Sequence, residues 1–173
     1  IEIFNISASR ETTLSRLLTL YICTGLAFML LPGTFLGVWN LIAISSRQST
    51  QTVSSAWIQA HGHAQIFGWI GTFVIGIGYY SLSRMGRLLP FVVSRGWLSW
   101  GFWTLGLMLR WIANVNQWHW RALLEISAGL ELAAFLGQHR FDLLQVRIQR
   151  LELLRPDLLH ALELLNAGIV ALD

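Results

Sequence analysis

The sequence predicts an all-α integral membrane protein: a helical bundle of about four transmembrane helices with an amphipathic C-terminal helix. Apolar residues make up 54% of the 173 positions and charged residues only 12%, about half the roughly 25% of a soluble domain. The charges fall mainly between long apolar runs. After position 138 the pattern changes to leucine and isoleucine recurring every three or four residues with charges between them, the signature of an amphipathic helix. At about 20 residues per span, the length holds four or at most five helices with short loops, with no room for a separate soluble domain.

The polar segment IEIFNISASRETTLSR precedes the first span. It lacks the basic start, short apolar core and small-residue cleavage site of a signal peptide, so the apolar run after it is expected to stay in the membrane. That run, about 17–44, carries no charge and has Pro32 and Gly33 near its middle, a pair that bends or locally opens a helix. Cys23 lies within it and reads as a small buried hydrophobe. As the only cysteine, it excludes an intrachain disulfide and any CxxC metal or c-type haem motif.

The polar linker Ser45 to Ser55 reads as an exposed loop. The second span, about 56–82, is AWIQAHGHAQIFGWIGTFVIGIGYYSL, without formal charge but with two histidines and five glycines. The third, about 94–112, follows the basic patch Arg84, Arg87 and Arg95. The fourth, about 118–136, contains Glu125 and Glu131. An intramembrane carboxylate faces the bundle interior or a partner, so these two are functional or mark a shallow segment. The remainder, 139–173, reads as an interfacial or partner-binding helix broken near Pro156, with His139 and His160 facing solvent.

Basic residues set the orientation. Every one is an arginine, and these cluster before the first span, between the second and third, and after the fourth. The positive-inside rule then places both termini in the cytoplasm. The net charge of +3 belongs to this topology and not to a nucleic-acid partner; the partner implied is the lipid bilayer. Trp118 and Trp120 flanking His119 fit an aromatic belt at the outer interface, and Tyr79 and Tyr80 fit anchors at the inner one.

Helical phase at 100° per residue puts His61, Gln65, Gly68, Thr72 and Tyr79 on one face, with Ala64 and Gly71 beside it. His63 points away, toward Phe67 and Ile70. The His61 face is small and partly polar. It admits two readings: a cofactor ligand with room for a flat ring before it, or a structural histidine among helix-packing glycines. His61 and His63, two apart, cannot both reach one centre from an ideal helix, so each is a metal candidate by itself. His119 is a candidate second ligand or a solvated belt residue. Glu125 and Glu131, six apart, lie on different faces, which argues against a paired acid and base. One of them can pair with Arg110 or Arg121, or carry protons. No Ser-His-Asp set, P-loop or zinc motif is present.

The stretch HGHAQIFGWIGTFVIGIGYYSLSRM resembles the second helix of the haem–copper oxidase subunit I superfamily, and more closely that of the NnrS group of multi-span haem proteins linked to nitric oxide stress. The resemblance covers mainly Trp57 to Met85. It implies a bacterial inner-membrane protein that binds haem, with His61 as first candidate axial ligand and His63 as second, serving electron transfer or nitric oxide handling. Members of the superfamily have about three times as many spans, with further ligand histidines on later helices. Nothing here matches those helices, so oxygen or nitric oxide reduction by this chain alone is not implied, and missing ligands would come from a second copy or a partner membrane subunit. Two alternatives stand beside this reading: a non-catalytic membrane scaffold or transporter-like subunit without cofactor, and copper or another metal at His61.

Overall fold

A computed structural model describes residues 2–49, 51, 53–85 and 91–137, together with 140, 143, 147 and 150. Every regular element among them is helical. The chain divides into two units, Ile1–Gln138 and His139–Asp173. In the second, the described positions Arg140, Leu143, Arg147 and Arg150 are helical and exposed. His139, the break near Pro156 and His160 lie outside the described residues.

Among the described residues, the first unit is built from four helices. Helix α1 occupies residues 2–47 as an α-helix Glu2–Phe28, a wide π-helical segment Met29–Thr34 and an α-helix Phe35–Arg47. It begins well before the apolar run, because no glycine or proline interrupts the chain before Gly25. Helix α2 occupies 55–85 as Ser55–His63, a second π-helical segment Ala64–Gly71, and Thr72–Met85. Helix α3 is Phe91–Val115, and α4 covers 121–137. The 25 residues of α3 extend about 37 Å at 1.5 Å per residue, longer than a hydrocarbon core of roughly 30 Å.

The π-helical segments have identifiable chemistry. Pro32 has no N–H to give to the preceding turn, and α1 widens around it. Thr34 then donates its hydroxyl five residues back, to the Met29 carbonyl at 2.8 Å. In α2, Thr72 does the same to the Phe67 carbonyl at 3.3 Å. Each wide turn therefore closes on a threonine whose hydroxyl donates to the carbonyl five residues back.

Cross-helix contacts fix the directions. Along α2, Gln65 meets Gly33, Gly68 meets Phe28, and Gly76 meets Tyr21 of α1, so the two run antiparallel. Helix α3 runs parallel to α1: Tyr21 donates to the Gly96 carbonyl at 3.2 Å, and one turn on Trp100 donates to Thr24 at 3.0 Å. Trp103 reaches the Thr72 hydroxyl at 2.9 Å, and Trp57 reaches the Val115 carbonyl at 3.0 Å. Helix α4 lies along α3, with Ser99 donating to the Ala134 carbonyl at 3.4 Å and Gly106 against Ser127 and Glu131. The arrangement is up-down-up-down, the topology short loops favour.

The interior mixes small and polar residues with large apolar ones: Thr72, Ser127 and Ala113 are fully enclosed, Asn40, Ser99 and Asn114 are buried, and so are Leu17, Tyr21, Leu36, Trp103 and Leu107. Large apolar side chains point outward on every helix, among them Leu31 at 72% exposure, Leu41, Phe35, Val74, Leu98 and Phe135. Cys23, expected inside, is exposed. Tyr79, expected at an interface, is buried and stacks on Tyr21 with centroids 6.2 Å apart. Tyr80 lies beneath the Arg84 guanidinium.

Candidate functional site

The face of α2 bearing His61, Gln65, Gly68 and Thr72 is the one packed on α1. A Cβ on Gly68 would stand 2.8 Å from Phe28, and one on Gly33 would stand 2.6 Å from the Gln65 amide. The space that small residues leave for a flat ring is thus occupied by the first helix. Thr72 is committed to Trp103 and Phe67.

His61 is seated in the notch between Gly33 and Gly37. Its Nδ1 donates to the Gly33 carbonyl at 2.7 Å, and a Cβ on Gly37 would lie 2.7 Å from its Cε1. The absence of side chains at Gly33 and Gly37 is what lets the imidazole come this close to the α1 backbone. Nε2 makes no hydrogen bond among the described residues.

His63 faces the other way, as its phase requires. Its ring stacks on Phe67, centroids 4.7 Å apart, and Nε2 donates to Glu131 Oε1 of α4 at 3.2 Å. The two histidines are therefore not brought together; one serves α1 and the other α4. Arg110 of α3 approaches the same Glu131 oxygen, Nε to Oε1, at 4.0 Å. Three helices thus each supply one ionisable group to a half-buried cluster. Arg110 Nε is itself buried and has no hydrogen-bond acceptor, a costly condition for a charged donor. Beside the cluster opens a cleft of about 260 Å³ whose lining includes Gln59, His63, Arg110 and Asn114.

His119 stands apart. It lies in the exposed turn between α3 and α4 and bonds locally to the Asn116 carbonyl. Gln117 and Trp118 beside it are left-handed, with φ of 54° and 61°. Trp118 is held there by its indole bond to Asn114 Oδ1 at 2.7 Å. Glu125 is exposed on α4, whereas Glu131 points inward. Among the described residues, no group of three His, Cys, Asp or Glu side chains could hold a metal ion. A second hollow, about 480 Å³ between α1 and α3, is lined almost wholly by apolar side chains, Phe28, Leu31, Phe35 and Met108 among them.

Sequence reasoning ranked His61 above His63 because the small face looked like a binding face. What singles out the cluster is Glu131, a carboxylate within an otherwise apolar stretch; its partners lie on other helices and 68 residues away in the case of His63. No family model, curated protein or solved structure matches this chain.

Proposed function

We propose that the chain is a multi-span membrane protein of the transporter-subunit class, non-catalytic, with the His63–Glu131–Arg110 cluster as its working centre. The observation that carries this reading is Glu131: a carboxylate on a helix of apolar surface, met by an imidazole and a guanidinium from two other helices. Ionisable side chains at membrane depth are rare and mark ion or proton paths. A shared ion triad adds little to stability over well-packed apolar residues, so stability alone gives no reason for it.

Immersion in lipid is supported by the many large apolar side chains that face outward on every helix, a feature that marks a lipid- or partner-facing surface. Helix 11–47 is long and apolar enough to cross a bilayer. Helices α2 and α3 have the length of spans, and their hydropathy is lowered by Gln59, His61, His63 and Gln65 and by Arg95 and Arg110. The arginine distribution supports cytoplasmic termini. The outward apolar faces would meet lipid, a second copy or a partner membrane subunit.

The test is reconstitution into liposomes containing a pH-sensitive dye. Vesicles with the wild-type chain should dissipate an imposed pH gradient faster than vesicles with Glu131→Gln. Equal rates for wild type, variant and empty vesicles would remove the reading.

A second reading keeps haem on His61. Ligating histidines donate their other ring N–H to a backbone carbonyl, as His61 does to Gly33, and Nε2 is left over. The ring would have to stand outside the α1–α2 seam, because Phe28 fills the space before Gly68. Haem titrated into the purified protein should then give a Soret band that is lost in His61→Ala and kept in His63→Ala; colourless, folded protein leaves the first reading alone.

A further inference from the structure

We propose that the outward face of α4 is the contact through which two copies of this chain pair in the membrane, with Arg121 of each copy bound to Glu125 of the other. The inference rests on the preceding reading of the chain as a membrane protein, and it names what covers one of the outward faces.

Helix α4 turns one side to the bundle: Ser127 and Ala134 are buried, and Glu131 meets His63. On the opposite side Arg121, Glu125, Gly129, Ala133 and Gly137 form one ridge, each four residues from the next, and all five are exposed. The outward faces of the other helices carry large apolar side chains such as Leu31 of α1, Val74 of α2 and Leu98 of α3, which suit fluid lipid. The α4 ridge is small and charged instead. A Cβ on Gly129 or Gly137 would meet nothing within 4 Å, so these glycines relieve no crowding among the described residues. Small residues four apart are how membrane helices bring two backbones close together.

Charge complementarity selects a second copy as the occupant. Arg121 and Glu125 are one turn apart, yet neither finds an ion-pair partner within the chain among the described residues. A basic residue four positions before an acidic one is the weaker order for pairing within one helix. A hollow of about 370 Å³, lined by both together with Gln117, Trp118 and Leu124, leaves room beside them. Two copies in one membrane share one orientation, so a two-fold axis along the membrane normal sets their α4 helices parallel and face to face. Arg121 of one copy then stands about 6 Å along the axis from the level of Glu125 of the other, a span that an arginine side chain bridges. Symmetry makes the ion pair twice. A carboxylate one turn inside a span is costly without a partner, and acyl chains supply none. Glu131 lies on the other side of α4, so each copy keeps its own cluster.

The experiment is disulfide cross-linking of the full chain in liposomes, in a Cys23→Ser background. Single substitutions Ala122→Cys, Ala133→Cys and Leu136→Cys on the α4 face should give covalent dimers on mild oxidation, whereas Val74→Cys and Leu98→Cys, exposed on α2 and α3, should not. With Leu136→Cys as the reporter, Arg121→Glu and Glu125→Arg should each weaken pairing roughly tenfold, since each sets like charges across the two-fold axis. The two reversals together should restore it. Gly129→Leu should also weaken pairing while the helical circular dichroism stays intact. The proposal is overturned by cross-links no more frequent on α4 than at the control positions, or by a double reversal that pairs as poorly as the single ones. Extraction of the chain from the vesicles by alkaline carbonate would remove the membrane reading as well, whereas embedded chain without α4 cross-links removes the pairing alone. The gradient experiment above reads Glu131 and decides the cluster's role separately.

Discussion

His63 Nε2 and Glu131 Oε1 lie 3.2 Å apart, and that same oxygen lies 4.0 Å from Arg110 Nε. One carboxylate oxygen thus accepts a hydrogen bond from His63 and stands within ion-pair reach of Arg110 on another helix, so neither partner can be removed without changing the other's environment. Glu131→Ala should lower the thermal midpoint in detergent, and so should Arg110→Met. The pair combined should cost less than the sum, with a coupling of about 1 kcal/mol, within the range for residues in one network. Strict additivity in a thermal-unfolding cycle would show that the two do not interact.

The α1–α2 seam predicts which glycines tolerate a side chain. A Cβ at Gly76 would stand 2.5 Å from Tyr21 and one at Gly68 2.8 Å from Phe28, whereas Gly62 and Gly101 have nothing within 4 Å. Gly68→Val and Gly76→Val should each destabilise by about 1–3 kcal/mol through overpacking. Gly62→Ala and Gly101→Ala should be neutral or stabilising by up to about 1 kcal/mol, as helix propensity requires. Denaturation midpoints of these variants check the packing position by position.

Cys23 offers a direct test of immersion, because it is exposed on the bundle surface within the apolar part of α1. In intact membrane vesicles a membrane-impermeant maleimide should leave it unlabelled, and detergent denaturation should make it reactive. In a Cys23→Ser background, Gln117→Cys should label from the outer side only. Full labelling of Cys23 in intact vesicles would contradict a lipid-covered surface.

The α3–α4 turn holds Gln117 and Trp118 in succession at positive φ, where a non-glycine residue costs roughly 1–2 kcal/mol. Gln117→Gly should stabilise the turn by about 0.5–1 kcal/mol. Trp118→Gly should gain nothing, since it forfeits the indole bond to Asn114. Hydrogen exchange across 113–119 would report both.

Much of this was legible from spacing alone. The common face of His61, Gln65, Gly68 and Thr72, and the divergence of His63, follow from a 3.6-residue period, and the widening at Pro32 follows from a missing N–H. Periodicity gives no information about what lies across a face, so a seam filled by Phe28, 40 positions earlier in the chain, has the same small-residue pattern as room for a ring. The π-helical segment at 64–71 carries no proline, and glycine is common in membrane helices for other reasons. Arg110 was one of two arginines expected as a partner for the glutamates. His63 as the second partner was hidden by the stacking on Phe67 that its phase implied. The early start of α1 has its sign in the absence of glycine and proline before Gly25, since polarity does not oppose a helix.

The wide turn of α2 sits between the half anchored by Thr72, Gly76 and Tyr79 and the half carrying both histidines. Deleting one residue within 64–71 would rotate the histidine half by roughly a quarter turn relative to the anchored half. His61 would leave the Gly33 carbonyl and His63 would leave Glu131 in the same stroke. The two imidazoles are therefore aimed jointly by the length of that segment, so insertions and deletions there would be filtered far more severely than substitutions.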